Sequence, residues 1–192
     1  MKEKRIGIRF TTKEGYEVIV IVYENANKVQ VEFLDEHHYT LWTTWHHVKH
    51  GQIKNPYHKS VCNVGYLGLL DNGVKTKVNG KLTREYQLWK TMIYRCYDEK
   101  YHEKQATYKD CTVCDRWHCY ANFLEDLPKI KNYEYWLNNP NERIALNKDI
   151  YYAELGIETD SKEYSLLTTR FVSQSENTLE MLDRCGNPRK VK

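Results

Sequence analysis

The sequence predicts an α+β protein in which a small N-terminal β-rich, barrel-like module precedes a helical region and a C-terminal arrangement of two strands and a helix. Two patterns predict this order. β-Branched and alternating apolar residues fill much of the first 60 residues, and apolar residues recur at three- and four-residue spacing between residues 86 and 127. We predict a β-rich module over residues 1–64, a glycine-rich connector over 65–80, and a helical and C-terminal domain over 81–192.

Three strands are predicted in the β-rich module. The segment "YEVIVIVYE" is a continuous β-branched run, "KVQVEFLD" alternates after the turn "ENAN", and "YTLWTTW" follows "DEHH". Strands joined by tight turns indicate a small twisted sheet or a barrel-like module. The glycine and proline of "KHGQIKNPY" end it, because neither a helix nor a central strand tolerates them well.

The connector and two helices follow. Four glycines and two Asn-Gly dipeptides in "GYLGLLDNGVKTKVNG" favour a hairpin. The segment "TREYQLWKTMIYRCYDE" carries one apolar stripe, with Thr83 as its N-cap. A second stripe lies in "CDRWHCYANFLEDLP", with Asp115 as a candidate cap and Pro128 as its end. We therefore predict two amphipathic helices.

The C-terminal third contains two more predicted strands and a helix. The strands are "RIALNKDIYY" and "YSLLTTRFV", separated by the polar segment "AELGIETDSKE". Ser173 and Glu176 have the spacing of a capping box, which predicts a helix from there to about Asp183.

Composition excludes some classes of protein. No stretch approaches the roughly 20 apolar residues that cross a bilayer, and the first residues lack the apolar core of a secretory signal, so we expect a cytoplasmic protein without a membrane partner. The net charge of +3 does not by itself indicate nucleic-acid binding. With no export signal, we expect reduced thiols at all six cysteines, which are Cys62, Cys96, Cys111, Cys114, Cys119 and Cys185.

A zinc site is the alternative interpretation of "YKDCTVCDRWHCYANF", which holds Cys111, Cys114, His118 and Cys119. Structural zinc sites usually take their two ligand pairs from separate elements, whereas these two pairs are close neighbours in the sequence. If residues 115–127 are helical, His118 and Cys119 differ by about 100° around the axis. We therefore favour buried thiols. Surface positions are likewise favoured for His46, His47 and His50, with phosphate contact beside Lys49 and Lys54 as the alternative.

Four blocks resemble, in order, the HNH-like endonuclease proteins of bacteriophages, including homing endonucleases. The blocks are "NPYHKSVCNVGYLG", "YQLWKTMIYRCYDEKYHEKQATYKDCTVCDRWHCYANF", "ALNKDI" and "YSLLTTRFVSQSEN", and the resemblance covers residues 50 to 177. In that family the second block ends in a packing signature. Cys114, Trp117, Asn122 and Phe123 match this signature, which needs neither Cys111 nor Cys119.

The resemblance implies a C-terminal ββα unit that holds one Mg²⁺ against the scissile phosphate. Asn147, Asp149 and Asn177 match metal-side positions, and carboxylate and amide oxygens suit Mg²⁺. The chain departs from the family pattern at Asn147, where the family has Asp, and has no histidine after His118. The catalytic candidates are therefore Asp149 and Lys148, and a lysine base would need strong desolvation. Relatives often continue into a DNA-binding tail, which we do not expect here.

Two functions follow from the resemblance. The first is a protein acting on double-stranded DNA by metal-dependent phosphodiester cleavage, in the cytoplasm of an infected bacterial host. The second is a catalytically inactive HNH-like protein without a cofactor, which binds DNA or inhibits a host defence protein. Phosphate contacts are predicted for Lys49, Lys54, Arg84, Lys90 and Arg95. Anchors for a host protein are predicted at Trp42, Trp45 and Tyr57.

Overall fold

The computed structural model of the protein describes residues 5–159 and 161–184. The chain divides into two compact units: the first ends at His58 and the second begins at Lys59. Both units mix strands and helices, in agreement with the predicted α+β class. Cys185 and the terminal segment "CGNPRKVK" lie outside the described residues.

The first unit contains a four-stranded antiparallel sheet with the strands in chain order. Its elements are β1 (Arg9–Thr11), β2 (Glu17–Asn25), β3 (Lys28–Phe33), β4 (Thr40–Thr43) and α1 (Trp45–Lys49). Among the described residues, β1 and β4 are edge strands, so the sheet is open and the expectation of a barrel-like closure is wrong. Edge strands of three and four residues offer too few pairing groups to close a barrel.

Buried and more exposed side chains alternate along β2 and β3, and the buried ones form the core of the first unit. Val18 and Val20 of β2 face Phe33 and Val31 of β3, and all four are fully buried. The third predicted strand is shorter than expected. It stops at Thr43, because the Thr44 hydroxyl accepts a hydrogen bond from the His47 amide at 3.3 Å and starts α1.

The elements of the second unit up to residue 138 are mainly short helices. They are β5 (Lys77–Val78), β6 (Lys81–Leu82), α2 (Arg84–Tyr97), α3 (Glu99–Lys104), β7 (Thr112–Val113), α4 (Asp115–His118), α5 (Tyr120–Asp126) and α6 (Tyr133–Asn138), with 3₁₀ turns at Ala106–Tyr108 and Leu127–Lys129. The helix α2 is as predicted, whereas the hairpin β5–β6 extends beyond the end of the predicted connector at residue 80. Thr83 caps α2, and Trp89 and Ile93 are buried on its apolar face.

The second predicted helix is two helices in the structure, and that expectation is wrong. Cys119 is extended between α4 and α5, with φ −86° and ψ 120°. The break exists because Tyr66 pairs with this position: its amide donates to the His118 carbonyl, and its carbonyl accepts from the Tyr120 amide, each at 2.9 Å. The N-cap of α4 is Cys114 and not Asp115, which lies in the first turn.

The remaining elements are β8 (Ile144–Asn147), α7 (Asp149–Glu154), β9 (Glu163–Tyr164), β10 (Arg170–Ser173) and α8 (Gln174–Arg184). β8 and β10 pair antiparallel, and α8 contacts both. The predicted strands were too long. The first ends at Asn147, whose side-chain oxygen accepts from the Ile150 amide at 3.0 Å and turns the chain into α7. The second is interrupted by a turn of mutually hydrogen-bonded hydroxyls at Ser165, Thr168 and Thr169.

The predicted capping box at the start of α8 is confirmed. The Ser173 amide donates to the Glu176 carboxylate at 2.8 Å, and the Glu176 amide donates to the Ser173 hydroxyl at 3.2 Å. This fixes the helix directly after β10. Among the described residues, no helix is long and apolar enough to span a bilayer.

Candidate functional site

The two predicted amide ligands, Asn147 at the end of β8 and Asn177 in the first turns of α8, lie in contact. The Asn147 Nδ2 donates to the Asn177 Oδ1 at 2.8 Å. Because the Asn147 Oδ1 accepts from the Ile150 amide, both amide oxygens already receive a proton donor of the protein. Asn147 is 3% exposed, so the pair ties the strand to the helix.

Asp149, the predicted carboxylate ligand, begins α7 and lies between two lysines. Its Oδ1 is 3.2 Å from the Lys148 Nζ and 3.1 Å from the Lys162 Nζ. All three side chains are largely withdrawn from water, with exposed fractions of 16% for Asp149, 3% for Lys148 and 12% for Lys162. We call this group the Asp149 triad.

The rings of Tyr108 and Tyr164 also lie close to the Lys148 ammonium. Their centroids lie 5.2 Å and 5.1 Å from its Nζ. Aromatic faces stabilise a desolvated cation through their quadrupoles. A buried lysine in this position therefore keeps its charge.

These contacts determine the direction in which the pKa values of Lys148 and Asp149 are shifted. Burial alone would lower the pKa of Lys148, but the neighbouring Asp149 carboxylate outweighs it and raises the pKa. Burial alone would raise the pKa of Asp149, but the ammonium groups of Lys148 and Lys162 lower it. Lys148 and Asp149 are consequently both charged at neutral pH.

This arrangement does not fit the Mg²⁺ implied by the resemblance. The three predicted ligands present oxygens that already accept hydrogen bonds from amide or ammonium groups, and two positive charges lie beside the carboxylate. Nor does it favour the predicted base role of Lys148, because a general base must lose its proton near neutral pH and the raised pKa opposes that.

The predicted phosphate contacts of the second unit all lie on α2. Arg84 stacks on the Trp136 ring, with its Cζ 3.9 Å from the centroid, and Lys90 lies 5.5 Å from the Tyr94 centroid. Arg95 is half-buried and hydrogen-bonds Tyr164. Arg84 and Arg95 line one hollow together with Arg143. Lys90 and Arg95 line a second hollow that adjoins it.

The first unit contributes exposed cations and one exposed aromatic ring. Lys49 and Lys54 are exposed, as are the histidines at 46, 47 and 50, which lie on and just after α1 and not on strands. Among the predicted protein-binding anchors, Trp42 is 49% exposed, with the Lys28 ammonium 5.0 Å from its ring.

The other two predicted anchors are less accessible. Trp45 packs edge-on against Phe10 at 5.5 Å, and Tyr57 stacks on His37 at 3.8 Å. Both serve the packing of the first unit, which disfavours an anchor role.

The cysteine-rich segment packs the second unit's core. Trp117 and Phe123 are fully buried with their rings 5.2 Å apart, and the Trp117 Nε1 donates to the Asp126 carboxylate. His118 bonds the Tyr97 hydroxyl, and the Cys119 thiol faces the Leu67 carbonyl. Among the described residues, no group of three or more His, Cys, Asp or Glu side chains is arranged to hold a metal ion.

Reasoning from the sequence missed Lys162, Tyr108 and Arg143. Lys162 lies in a polar segment whose composition predicts only a loop, and no spacing links it to Asp149. Arg143 is the first residue of a predicted strand, and nothing in its position indicated a binding role. Comparison with family models, with curated proteins and with solved structures gave no match.

Proposed function

We propose that this chain is a catalytically inactive HNH-like protein that binds DNA in the cytoplasm of an infected bacterial host. The Asp149 triad carries the proposal. Where the resemblance implies a metal ligand, the carboxylate is neutralised by two ammonium groups of the chain itself. Two lysines in this place supply fixed positive charge but neither a Lewis acid nor a water-activating base.

Ancestry is supported by the order of the four sequence blocks and by the arrangement of the last elements. β8 pairs antiparallel with β10, and α8 follows and contacts both strands. The amide pair of Asn147 and Asn177 connects strand and helix in this frame. We expect a nuclease fold that has kept binding and lost catalysis to retain this arrangement of strands and helix while its oxygen ligands are no longer free for a metal ion.

DNA binding is supported by the placement of the cations. Lys49 and Lys54 are exposed on the first unit, and Arg84, Lys90 and Arg95 line hollows of the second. Such side chains contact phosphates without reading sequence. Binding should therefore weaken steeply with salt and show little sequence preference.

A plasmid-nicking assay with Mg²⁺ and with Mn²⁺ tests the proposal. We expect no metal-dependent cuts from the wild-type protein, together with a salt-sensitive gel shift of DNA, tested both as the intact plasmid and as a single strand. Cuts that disappear in Asn177→Ala and in Asp149→Ala, with both variants folded by circular dichroism, would establish an enzyme instead. If neither cuts nor a shift are seen, DNA is not the partner, and the host-protein hypothesis with Trp42 as anchor replaces it.

A further inference from the structure

A groove of about 650 Å³ runs along α2 in the second unit. Its other wall is formed by Arg143, by β8 from Ile144 to Leu146, and by Gln174 at the start of α8. The Asp149 triad is not part of its lining. Polar groups of α2, including Gln87 and Thr91, face the groove between two arginines.

The arginines are spaced along the groove. Arg84 and Arg95 are three helical turns apart on one face of α2, which separates their Cα atoms by about 16 Å along the helix axis. Arg143 is exposed and approaches from the opposite wall. Among the described lining residues the one carboxylate is that of Glu142, which accepts a hydrogen bond from the Tyr135 hydroxyl at 2.8 Å. The groove therefore has an excess of positive charge.

Two of these guanidinium groups are held in place. The Arg84 guanidinium lies over the Trp136 ring, and its Nη2 donates to the Asn139 carbonyl at 3.5 Å. Arg95 bonds Tyr164, yet within residues 5–159 and 161–184 its Nε is buried without a hydrogen-bond partner. Because that Nε has no accessible surface, a phosphate in the groove would be contacted by the Nη groups of Arg95.

A second hollow of about 320 Å³ adjoins the groove and shares Gln87, Thr91 and Arg95 with it, so the positively charged surface continues there. Lys90 and Tyr94 line this hollow, and Tyr94 is 41% exposed. An exposed aromatic ring beside a cation provides a face on which a nucleic-acid base can stack.

We propose that the groove and the adjoining hollow bind one strand of nucleic acid, with Arg84, Arg95 and Arg143 on its phosphates and Tyr94 against a base. This inference rests on the proposed DNA binding and names the surface and the form of the ligand. A groove of this volume is in the range of pockets that enclose small molecules, roughly 300–1,000 Å³, so it has room for a few nucleotides of a single strand.

Fluorescence anisotropy with a short labelled DNA single strand, and with the matching duplex, tests this surface. Arg143→Glu reverses one charge in the groove, and Lys104→Glu makes the same change at an exposed position outside its lining. We expect Arg143→Glu to weaken single-strand binding about tenfold or more, Tyr94→Ala to weaken it by a similar factor, and Lys104→Glu to have little effect. Thermal unfolding of each variant verifies that it is folded.

Competition experiments distinguish binding of a nucleic-acid strand from binding of other anions. We expect unlabelled single strand to displace the probe, while inorganic phosphate, a mononucleotide and polyglutamate at equal charge concentration displace it poorly. Equal displacement by any of them would overturn the proposal of a strand. If wild-type protein binds DNA but Arg143→Glu binds equally well, the groove is not the site although the proposed function stands. If wild-type protein binds neither form of DNA, both proposals fail.

Discussion

At the scale of single residues, the Asp149 triad shows how one carboxylate can serve stability in place of metal binding. Its two lysines are almost fully withdrawn from water, and a buried ammonium needs a counter-charge. Without Asp149 the two ammonium groups would repel each other in a poorly solvated place. The carboxylate therefore has a structural reason to be present that is independent of catalysis.

We predict that Asp149→Asn lowers the free energy of unfolding by about 3 kcal/mol, because removing one partner leaves buried charge uncompensated. Urea denaturation followed by tryptophan fluorescence measures the change. Asp110→Asn, at an exposed position, is the matched control and should change it by less than about 0.5 kcal/mol. An unchanged free energy of unfolding in Asp149→Asn would contradict the prediction and show that water solvates the two lysines.

A second buried carboxylate, Asp126, predicts how stability depends on acid. It is 4% exposed and accepts from Arg116 Nε at 2.7 Å, Lys129 Nζ at 3.0 Å and Trp117 Nε1 at 3.1 Å. Burial alone would raise the pKa of Asp126, but these donors lower it from 3.8 to about 2. A depressed pKa in the folded state stabilises the protein above the unfolded-state pKa, and this contribution disappears as the carboxylate is protonated.

We therefore expect Asp126 to contribute about 2 kcal/mol at neutral pH, lost as the pH falls from about 4 to about 2. In Asp126→Asn the free energy of unfolding should be lower at pH 7 and should fall less steeply in this window. Urea titrations at a series of pH values measure both slopes, with exposed Asp71→Asn as the control. Parallel slopes for wild type and Asp126→Asn would contradict the prediction.

At the scale of elements, the break between α4 and α5 depends on the segment that precedes α2. Gly68 has φ +71°, and a Cβ there would collide with the Cys119 Sγ and approach the Ala121 Cβ to 3.2 Å. The Ala121 amide also donates to the Leu67 carbonyl at 3.0 Å. The first part of the predicted connector is thus packed onto the helices, and glycine is required at this position.

Gly68→Ala should destabilise the protein by about 2 to 4 kcal/mol, combining left-handed strain with overpacking. Gly80→Ala is the matched control, because Gly80 has φ +77° with no atom within 4 Å of a new Cβ, and it should cost only about 1 kcal/mol. Thermal or urea unfolding of both variants gives the difference. In a Cys119→Ala background the excess cost of Gly68→Ala should shrink, and an unchanged excess would exclude the thiol as its cause.

Elements fixed by local signals could be predicted from the sequence, and elements fixed by distant partners could not. Thr83 and the apolar stripe define α2 locally, as Ser173 and Glu176 define the start of α8. The stripe of residues 115–127 continues through Cys119 without a sign of a break, because the break comes from pairing with Tyr66.

The same distinction applies to the candidate site. The sequence anticipated that Asn177 lies on a helix, but it placed Asn147, Lys148 and Asp149 within one strand, whereas the strand ends at Asn147 and Asp149 begins α7. Lys162 enters from a loop, so its contact with Asp149 has no periodic signature. The sequence therefore shows the residues that could bind a metal ion, but not the lysine whose contact with Asp149 disfavours one.

At the scale of the whole molecule, the apolar cores of the two units do not share residues. The described core of the first unit ends at Ile53, and that of the second begins at Val61. The second core joins α2 and α5 to β8 and β10 through Trp89, Phe123 and Phe171, all fully buried. A unit with its own large core is expected to fold without the other.

We predict that a fragment of residues 59–192 folds cooperatively, with near-ultraviolet circular dichroism from its buried tryptophans, and keeps the single-strand binding proposed for the groove. A fragment of residues 81–192, which starts at the boundary expected from the sequence, lacks Val61 of the core and the pairing of Tyr66 with Cys119. It should lose several kcal/mol of stability, because a buried side chain and two backbone hydrogen bonds are removed together. The urea midpoints of the two fragments decide between a boundary at residue 59 and one at residue 81. Equal midpoints would show that residues 59–80 are a linker whose contacts with α4 and α5 do not stabilise the fold.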